Sequence, residues 1–309
     1  MVFDLRKVFS RRQPELTRTE CAEPEIVTPG RGGAALVNER LARYLDLLMT
    51  YDAMAAAYAG RGTVRHLDRD DKEYTASDEW AETHYFSVGE DAIRIVVQAL
   101  TANLRPPPRS ILDFPSGSGR VTRHLRAFFP AARIIACDLY PSHVEFCRTH
   151  LAVDGMVSKE NLSELDFGAT FDLIFCGSLM THLPAPLVGA GLELIARSLS
   201  DRGVAIVTLQ GRHSEHIQKH KWKYLDDALF DVALEGMQGS GFGYVDYDHD
   251  FRRTFDQQTN YGVSLIRPDW IMARLQAIPD IRILGFAERA WDDHHDVVVF
   301  GKPSVNADA

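Results

Sequence analysis

Long apolar runs are missing from this sequence: no stretch approaches the roughly 18 consecutive apolar residues that a bilayer-spanning helix needs. The amino terminus also lacks an apolar core followed by small residues, so no secretory signal is written there. Positive charge is in deficit, 34 Lys and Arg against 43 Asp and Glu, for a net charge of −9. That balance disfavours attraction to phosphate backbones, and with it a nucleic acid partner. Cysteine is scarce. The 4 residues Cys21, Cys137, Cys147 and Cys176 form no C-x-x-C pair, which excludes a disulfide framework and fits a reduced, cytoplasmic compartment. No H-E-x-x-H run and no internal repeat occur, so neither a zincin-type metal centre nor a solenoid is encoded, and no metal site is expected.

What remains is an ordinary globular composition, 309 residues of which 45% are hydrophobic, enough for one large domain or one domain with an appendage. Its most informative stretch runs from Ile111 and Leu112 through Asp113, Phe114, Pro115, Ser116, Gly117, Ser118, Gly119 and Arg120 to Val121 and Thr122. Ile134, Ile135, Ala136, Cys137 and Asp138 follow. This reads as strand, glycine turn, helix, strand and terminal carboxylate, the order of a nucleotide-binding βαβ unit. Gly117 and Gly119 let backbone approach a ligand, and Asp138 is placed to accept ribose hydroxyls. A dinucleotide fingerprint needs a third glycine where Thr122 stands, so a pyrophosphate site is not encoded.

An acidic residue followed by this glycine turn resembles the first motif of the class I S-adenosylmethionine-dependent methyltransferases, with Pro115 in place of the first glycine. Phe171 to Leu183 resembles the family's fourth strand and the turn after it, and Gly203 to Leu209 its fifth strand after a glycine-marked helix end. The resemblance covers residues 90 to 210 or so and implies S-adenosylmethionine as cofactor. It implies Asp113, Pro115, Gly117 and Gly119 at the amino-acid end and Asp138, with Leu139 beside it, at the ribose. Glu160 or Asn161, at the tip of a short third strand over Met156 to Ser158, would lie near the adenine. Cys176, Gly177 and Ser178 would border the adenosine or the reacting methyl. Tyr85 and Phe86 either cover the cofactor from the N-terminal side or simply pack.

The rest of the chain is organised around that unit. Val2, Phe3, Leu5, Val8 and Phe9 alternate with Arg6, Lys7, Arg11 and Arg12. Residues 1–12 thus form either a basic amphipathic segment with weak membrane-surface contact or a frayed tail. Residues 1–34 read as a flexible leader and 35–108 as an N-terminal helical cap. Within the cap lie a helix from Val37 toward Met54, a charged surface loop from Arg65 to Glu73, a short helix capped by Ser77, and a further helix through Ile93 and Leu100. Residues 109–210 form the cofactor-binding core. Residues 211–262 read as a substrate lid, with a helix at Asp227 to Met237, a loop at Gln238 to Tyr244 and several aromatic residues, among them Tyr247 and Tyr261. Residues 263–303 supply a last helix and strands that complete the core sheet, and 304–309 a tail.

The sequence thus predicts an α/β fold, a Rossmann-like doubly wound and mostly parallel seven-stranded sheet. Three histidines are candidate bases: His182 in the turn after the fourth strand, or His294 and His295 beside Asp296 between the last two strands. The expected reaction is methyl transfer to a small-molecule or glycan acceptor, at a hydroxyl oxygen. A non-catalytic cofactor-binding scaffold and a nicotinamide-dependent oxidoreductase are the rival readings.

Overall fold

A computed structural model describes residues 38–71, 73–74, 79–247 and 260–303. The leader, the basic segment 1–12, the capping Ser77 and the tail 304–309 lie outside the described residues. The chain divides into a leading unit, Met1–Glu39, and a main unit, Arg40–Ala309.

Five strands, β1 (Ser110–Asp113), β2 (Arg133–Asp138), β3 (Asp154–Val157), β4 (Phe171–Cys176) and β5 (Leu199–Leu209), run parallel. Antiparallel to β5 comes β9 (His295–Gly301), and β8 (Arg282–Trp291) pairs with β9 at the edge. The order is β3-β2-β1-β4-β5-β9-β8, which reverses direction between β1 and β4. Ligands of doubly wound sheets bind beyond the carboxyl ends of the strands at such a reversal.

The parallel strands are apolar on both faces, as a sheet covered on both sides requires. Leu112, Ile135, Ile174, Ala205, Val207 and Phe300 pack on one side against α5 (Ala185–Arg197) and α8 (Pro268–Gln276). Ile111, Ile134, Leu173, Phe175, Val204 and Val299 pack on the other against α2 (Glu79–Ala102), α3 (Thr122–Phe128) and Leu151, which follows α4 (Pro141–His150). Helix α1 (Glu39–Arg61) is mostly exposed; its Tyr51 hydroxyl donates to the Arg105 carbonyl at 3.2 Å and its Tyr58 hydroxyl meets His124 Nδ1 at 2.6 Å.

The elements depart from the sequence reading in several places. One continuous helix, α2, replaces the short helix and the further helix expected over that stretch. Gly89 lies in the middle of this helix, where a Cβ would stand 2.3 Å from His124 Cδ2 and 2.5 Å from the Arg120 carbonyl oxygen. Gly203 is not a helix end; it sits inside β5, where a Cβ would approach the Phe171 carbonyl oxygen to 2.5 Å. The stretch Gln238–Tyr244 is not a loop. Helix α7 (Asp227–Ser240) continues through it to the left-handed Gly241, and β6 (Phe242–Asp246) begins at once. β6 pairs with β7 (Gly262–Ile266) in a separate two-stranded sheet, preceded by α6 (Ser214–His220). Residues at the head of the 263–303 stretch therefore belong to this small sheet and not to the main one.

Gly89→Ala is expected to destabilise the protein. Alanine inside a helix gains about 1 kcal/mol over glycine. Forcing extra volume into a tight crossing costs about 1–3 kcal/mol, and here one neighbour is a backbone carbonyl that side-chain rotation cannot clear. With the cost at the upper end of that range, a net loss of up to about 2 kcal/mol should appear as a lower urea midpoint at unchanged m-value; an unchanged or higher midpoint would contradict the close approach of α2 and α3.

Candidate active site

A cavity opens where β1 and β4 end, lined by the glycine turn, by Asp138, Leu139 and Tyr140 after β2, by Ser158 to Glu160 after β3, and by Gly177, Ser178, Leu179 and His182 after β4. Asp71, Glu73, Arg120, Asn260, Tyr261 and Trp291 also line it, with apolar surface from residues such as Leu162, Phe175 and Leu187.

The turn is built largely by local bonds. Gly117 has φ +50° and open space where a Cβ would be, so its backbone faces the cavity bare. Its N–H donates to Asp138 Oδ2 at 2.8 Å, while the Tyr140 N–H and His143 Nδ1 lie 3.0 and 3.3 Å from Oδ1. The buried Asp138 carboxylate is thus fixed by two backbone amides, with lone pairs remaining for a ligand. Burial works against a charge on His143, but its bond to Asp138 and that carboxylate's charge outweigh it, and the His143 pKa is raised. Thr122, which stands where a dinucleotide fingerprint has its third glycine, donates its hydroxyl to Asp113 Oδ2 at 2.6 Å. Burial above all pushes the Asp113 carboxyl up to about 7, against the Thr122 bond and with help from Asp138. A cation arriving in the cavity would favour its ionised form.

The stretch from Arg65 to Glu73, read from sequence as a surface loop, is largely exposed among its described residues and also bonds to the turn. The fully buried Arg123 guanidinium donates to the Val64 and His66 carbonyls, each at 2.9 Å, and the Ser118 hydroxyl donates to Asp68 at 2.7 Å. Asp71, also buried, accepts from the Tyr85 hydroxyl at 2.7 Å and from the Glu73 N–H at 2.9 Å.

After β4, Ser178 adopts a left-handed φ of 59° and its N–H donates to Thr208 Oγ1 at 2.8 Å. The small sheet is stitched to the turn that follows. Gly262 N–H donates to the His182 carbonyl at 2.9 Å, Ser264 N–H to the Thr181 carbonyl at 2.8 Å, and His182 Nδ1 lies 2.8 Å from the Gly262 carbonyl oxygen. A carbonyl only accepts, so Nδ1 carries the proton and Nε2 keeps the lone pair of the neutral ring. Burial, partly offset by the Gly262 bond, lowers the His182 pKa, and the Tyr261 ring stacks on it at 4.6 Å. Trp291 reaches the cavity from the β8–β9 turn, whose Asp292 and Asp293 have φ values of 56° and 49°. Its indole donates to the Val88 carbonyl at 3.0 Å, and Asp91 holds the Asp292 N–H at 2.8 Å.

Of the residues singled out from sequence, Asp113, Pro115, Gly117, Asp138, Leu139, Glu160, Gly177, Ser178 and His182 line this cavity. Six others do not. Gly119 has φ +85° and a Cβ there would sit 2.3 Å from Leu151 Cδ1, so it is small to let α4 pack rather than to admit a ligand. Asn161 caps a short 3-10 turn, accepting from the Ser163 N–H at 3.1 Å. Cys176 points into the apolar core, where burial raises its thiol pKa. Tyr85 is buried behind Asp71. His294 is paired with the Tyr224 hydroxyl and its pKa is pushed down to about 4, chiefly by burial; His295 is buried next to it and is lowered well below the usual range for the same reason. Sequence reasoning missed Asp71, Glu73 and Trp291, which tertiary packing alone brings in, and Arg120, which its place beside Gly119 in the motif would have flagged. Among the described residues, no cluster of three His, Cys, Asp or Glu side chains is arranged to hold a metal ion, and no helix is long and apolar enough to cross a membrane.

Residues 111–203 match a family model described as a methyltransferase domain. The malonyl-[acyl-carrier protein] O-methyltransferase of Anoxybacillus flavithermus is 24% identical over 123 residues, 39% of this chain and 46% of that protein. The chain thus spans about half the length of the curated relative it matches. An S-adenosylmethionine-dependent methyltransferase structure from Clostridium acetobutylicum is 14% identical, with 84% of this chain and 98% of that one covered at a TM-score of 0.45. The Burkholderia thailandensis 1,6-didemethyltoxoflavin-N1-methyltransferase is 17% identical, with 87% and 92% covered at a TM-score of 0.46. The matched stretch holds the glycine turn bonded to Asp138 and strands β2 to β4 of the seven-stranded sheet of order β3-β2-β1-β4-β5-β9-β8, and in this part the chain resembles a methyltransferase domain.

Proposed function

We propose that the protein transfers a methyl group from S-adenosylmethionine to a hydroxyl oxygen of a small-molecule or glycan acceptor. The observation that carries this reading is one cavity whose walls include both the glycine turn with Asp138 and the His182, Tyr261 and Trp291 side chains. The cofactor, when bound, supplies a sulfonium-activated methyl group to an in-line acceptor. The residues fit it. Gly117 leaves backbone open to the cavity, Asp138 offers a fixed acceptor for ribose hydroxyls, and the lining carboxylates Asp71, Glu73, Asp113, Asp138 and Glu160 outnumber Arg120 and Lys159, which suits a cationic ligand. Gly177 and Ser178 border the reacting end in this reading, and Glu160 lies toward the adenine.

His182 is the base in this mechanism. Its Nδ1–H is committed to Gly262, which leaves Nε2 to take the acceptor hydroxyl's proton as the new C–O bond forms. Asn260 and Tyr261, just before β7, form the acceptor-side wall, and the flat Tyr261 and Trp291 rings suit the face of a planar or sugar ring. An oxygen acceptor also agrees with the O-methyl chemistry named for the curated relative. The test is transfer of labelled methyl from S-adenosylmethionine across panels of phenols, sugars, carboxylic acids and amines. Transfer confined to protein or nucleic acid would overturn the acceptor class, and absence of S-adenosylhomocysteine binding in calorimetry would overturn the cofactor.

His182→Asn keeps a donor for the Gly262 carbonyl and removes the base. We expect kcat to fall about 10²–10⁴-fold with S-adenosylhomocysteine affinity unchanged. In the wild type the neutral ring is the active form, so the rate should rise with pH through a midpoint below the ordinary histidine value of about 6.5 and level off at neutrality. A variant that methylates at the wild-type rate would remove His182 from the mechanism.

A further inference from the structure

We propose that Arg120 and Asp71 recognise the amino-acid end of the cofactor, Arg120 exchanging its present partner Glu73 for the cofactor's carboxylate and Asp71 facing its ammonium group. The inference rests on the cofactor reading above and assigns two residues that the motif comparison leaves without a role; Asp71 lies outside the matched residues 111–203.

A carboxylate entering a cavity rich in carboxylates needs a cation, and among the described lining residues the permanent ones are Arg120 and Lys159. Lys159 follows β3, on the far side of β2 from the glycine turn, and its exposed ammonium lies 3.3 Å from the Glu164 carbonyl oxygen. Arg120 directly follows Gly119 in the turn that the family uses for the amino-acid end. Its side chain is 18% exposed, with the guanidinium carbon 5.9 Å from the centre of the Trp291 ring. Its partner is of another kind. Glu73, 2.9 Å away, is 54% exposed, so breaking the pair returns Glu73 to water at small cost while the guanidinium stays in place for a new anion. Planar pairing with a carboxylate is the geometry arginine is built for. Asp71 lies within electrostatic reach of Arg120 and is held rigidly by the Tyr85 hydroxyl and the Glu73 N–H. A fixed cation and a fixed carboxylate lining one cavity match the two charges of an α-amino acid.

The test compares S-adenosylhomocysteine with methylthioadenosine, which keeps the nucleoside and the sulfur and lacks the amino acid. Calorimetric titration of the full chain should show Arg120→Gln binding S-adenosylhomocysteine at least about tenfold more weakly with methylthioadenosine affinity unchanged. Glu73→Gln removes the competing carboxylate from an exposed position, so it should fold normally and bind S-adenosylhomocysteine up to about fivefold more tightly, again with methylthioadenosine unchanged. Equal losses for both ligands, or a Glu73→Gln protein that binds S-adenosylhomocysteine no better than wild type, would overturn the exchange while leaving the cofactor reading intact. A wild type that binds neither nucleoside would overturn both. If Arg120→Gln fails to fold, the Glu73→Gln comparison decides alone.

Discussion

Asp138→Ala is expected to weaken S-adenosylhomocysteine binding by about 1–3 kcal/mol, roughly 5- to 150-fold, the scale for hydrogen bonds to a charged group. Two losses combine. The ribose loses its acceptor, and the Gly117 and Tyr140 amides lose theirs, so the glycine turn is no longer tied to the end of β2. Asp138→Asn separates these effects poorly, because both carboxylate oxygens take a backbone N–H and an amide must turn its NH2 toward one of those donors. The asparagine variant should therefore also bind less tightly, unlike a site where one oxygen stands free. Calorimetry with a parallel thermal melt checks both substitutions; an alanine variant that folds and binds like wild type would take the ribose away from Asp138.

How far this site could be read from sequence follows from how local its parts are. Asp113, Gly117, Thr122 and Asp138 lie within one βαβ unit, and their strand, turn and helix pattern is written in consecutive residues, so their placement is legible. The same pattern hides why Gly119 is a glycine: its neighbour Leu151 comes from the far end of α4, so a residue that looks like a ligand contact is a packing contact. Asp71 and Glu73 were illegible for a different reason. A run of charges looks the same whether it faces water or a buried guanidinium such as Arg123, and here the loop, largely exposed, also bonds to the turn. His294 and His295, adjacent to an aspartate, look like a dyad, but a hydrogen bond to Tyr224 and burial occupy them. His182 could be named from its turn after β4. The proton arrangement of its ring follows only from the Gly262 carbonyl, 80 residues away in the chain.

Gly243→Ala is expected to be the most damaging single substitution outside the cofactor turn. Gly243 reads as part of a polar, glycine-rich loop, yet it lies in β6 against α7, where a Cβ would fall 1.6 Å from the Ala233 carbonyl oxygen and 2.8 Å from the Met237 amide nitrogen. Gly236 faces it: its own missing Cβ would lie 2.9 Å from the Gly243 Cα. Helix and strand thus meet backbone to backbone, and a methyl group requires the two elements to separate. Overpacking of this kind costs about 1–3 kcal/mol, and more where no side chain can give way. The cost reaches the chemistry through the sheet. β6 pairs with β7 from Phe242↔Ile266 to Asp246↔Gly262, and Gly262 and Ser264 of β7 hold the backbone and ring of the 181–183 turn. Displacing β6 therefore loosens the contact that orients His182 and moves Tyr261, while Asp138 and the glycine turn, on other elements, are untouched. The variant should show a lowered melting temperature, near-normal S-adenosylhomocysteine binding and a reduced kcat. Equal loss of cofactor binding and turnover would mean that the small sheet supports the whole cavity, and full activity at wild-type stability would mean that α7 and β6 do not meet as closely as described.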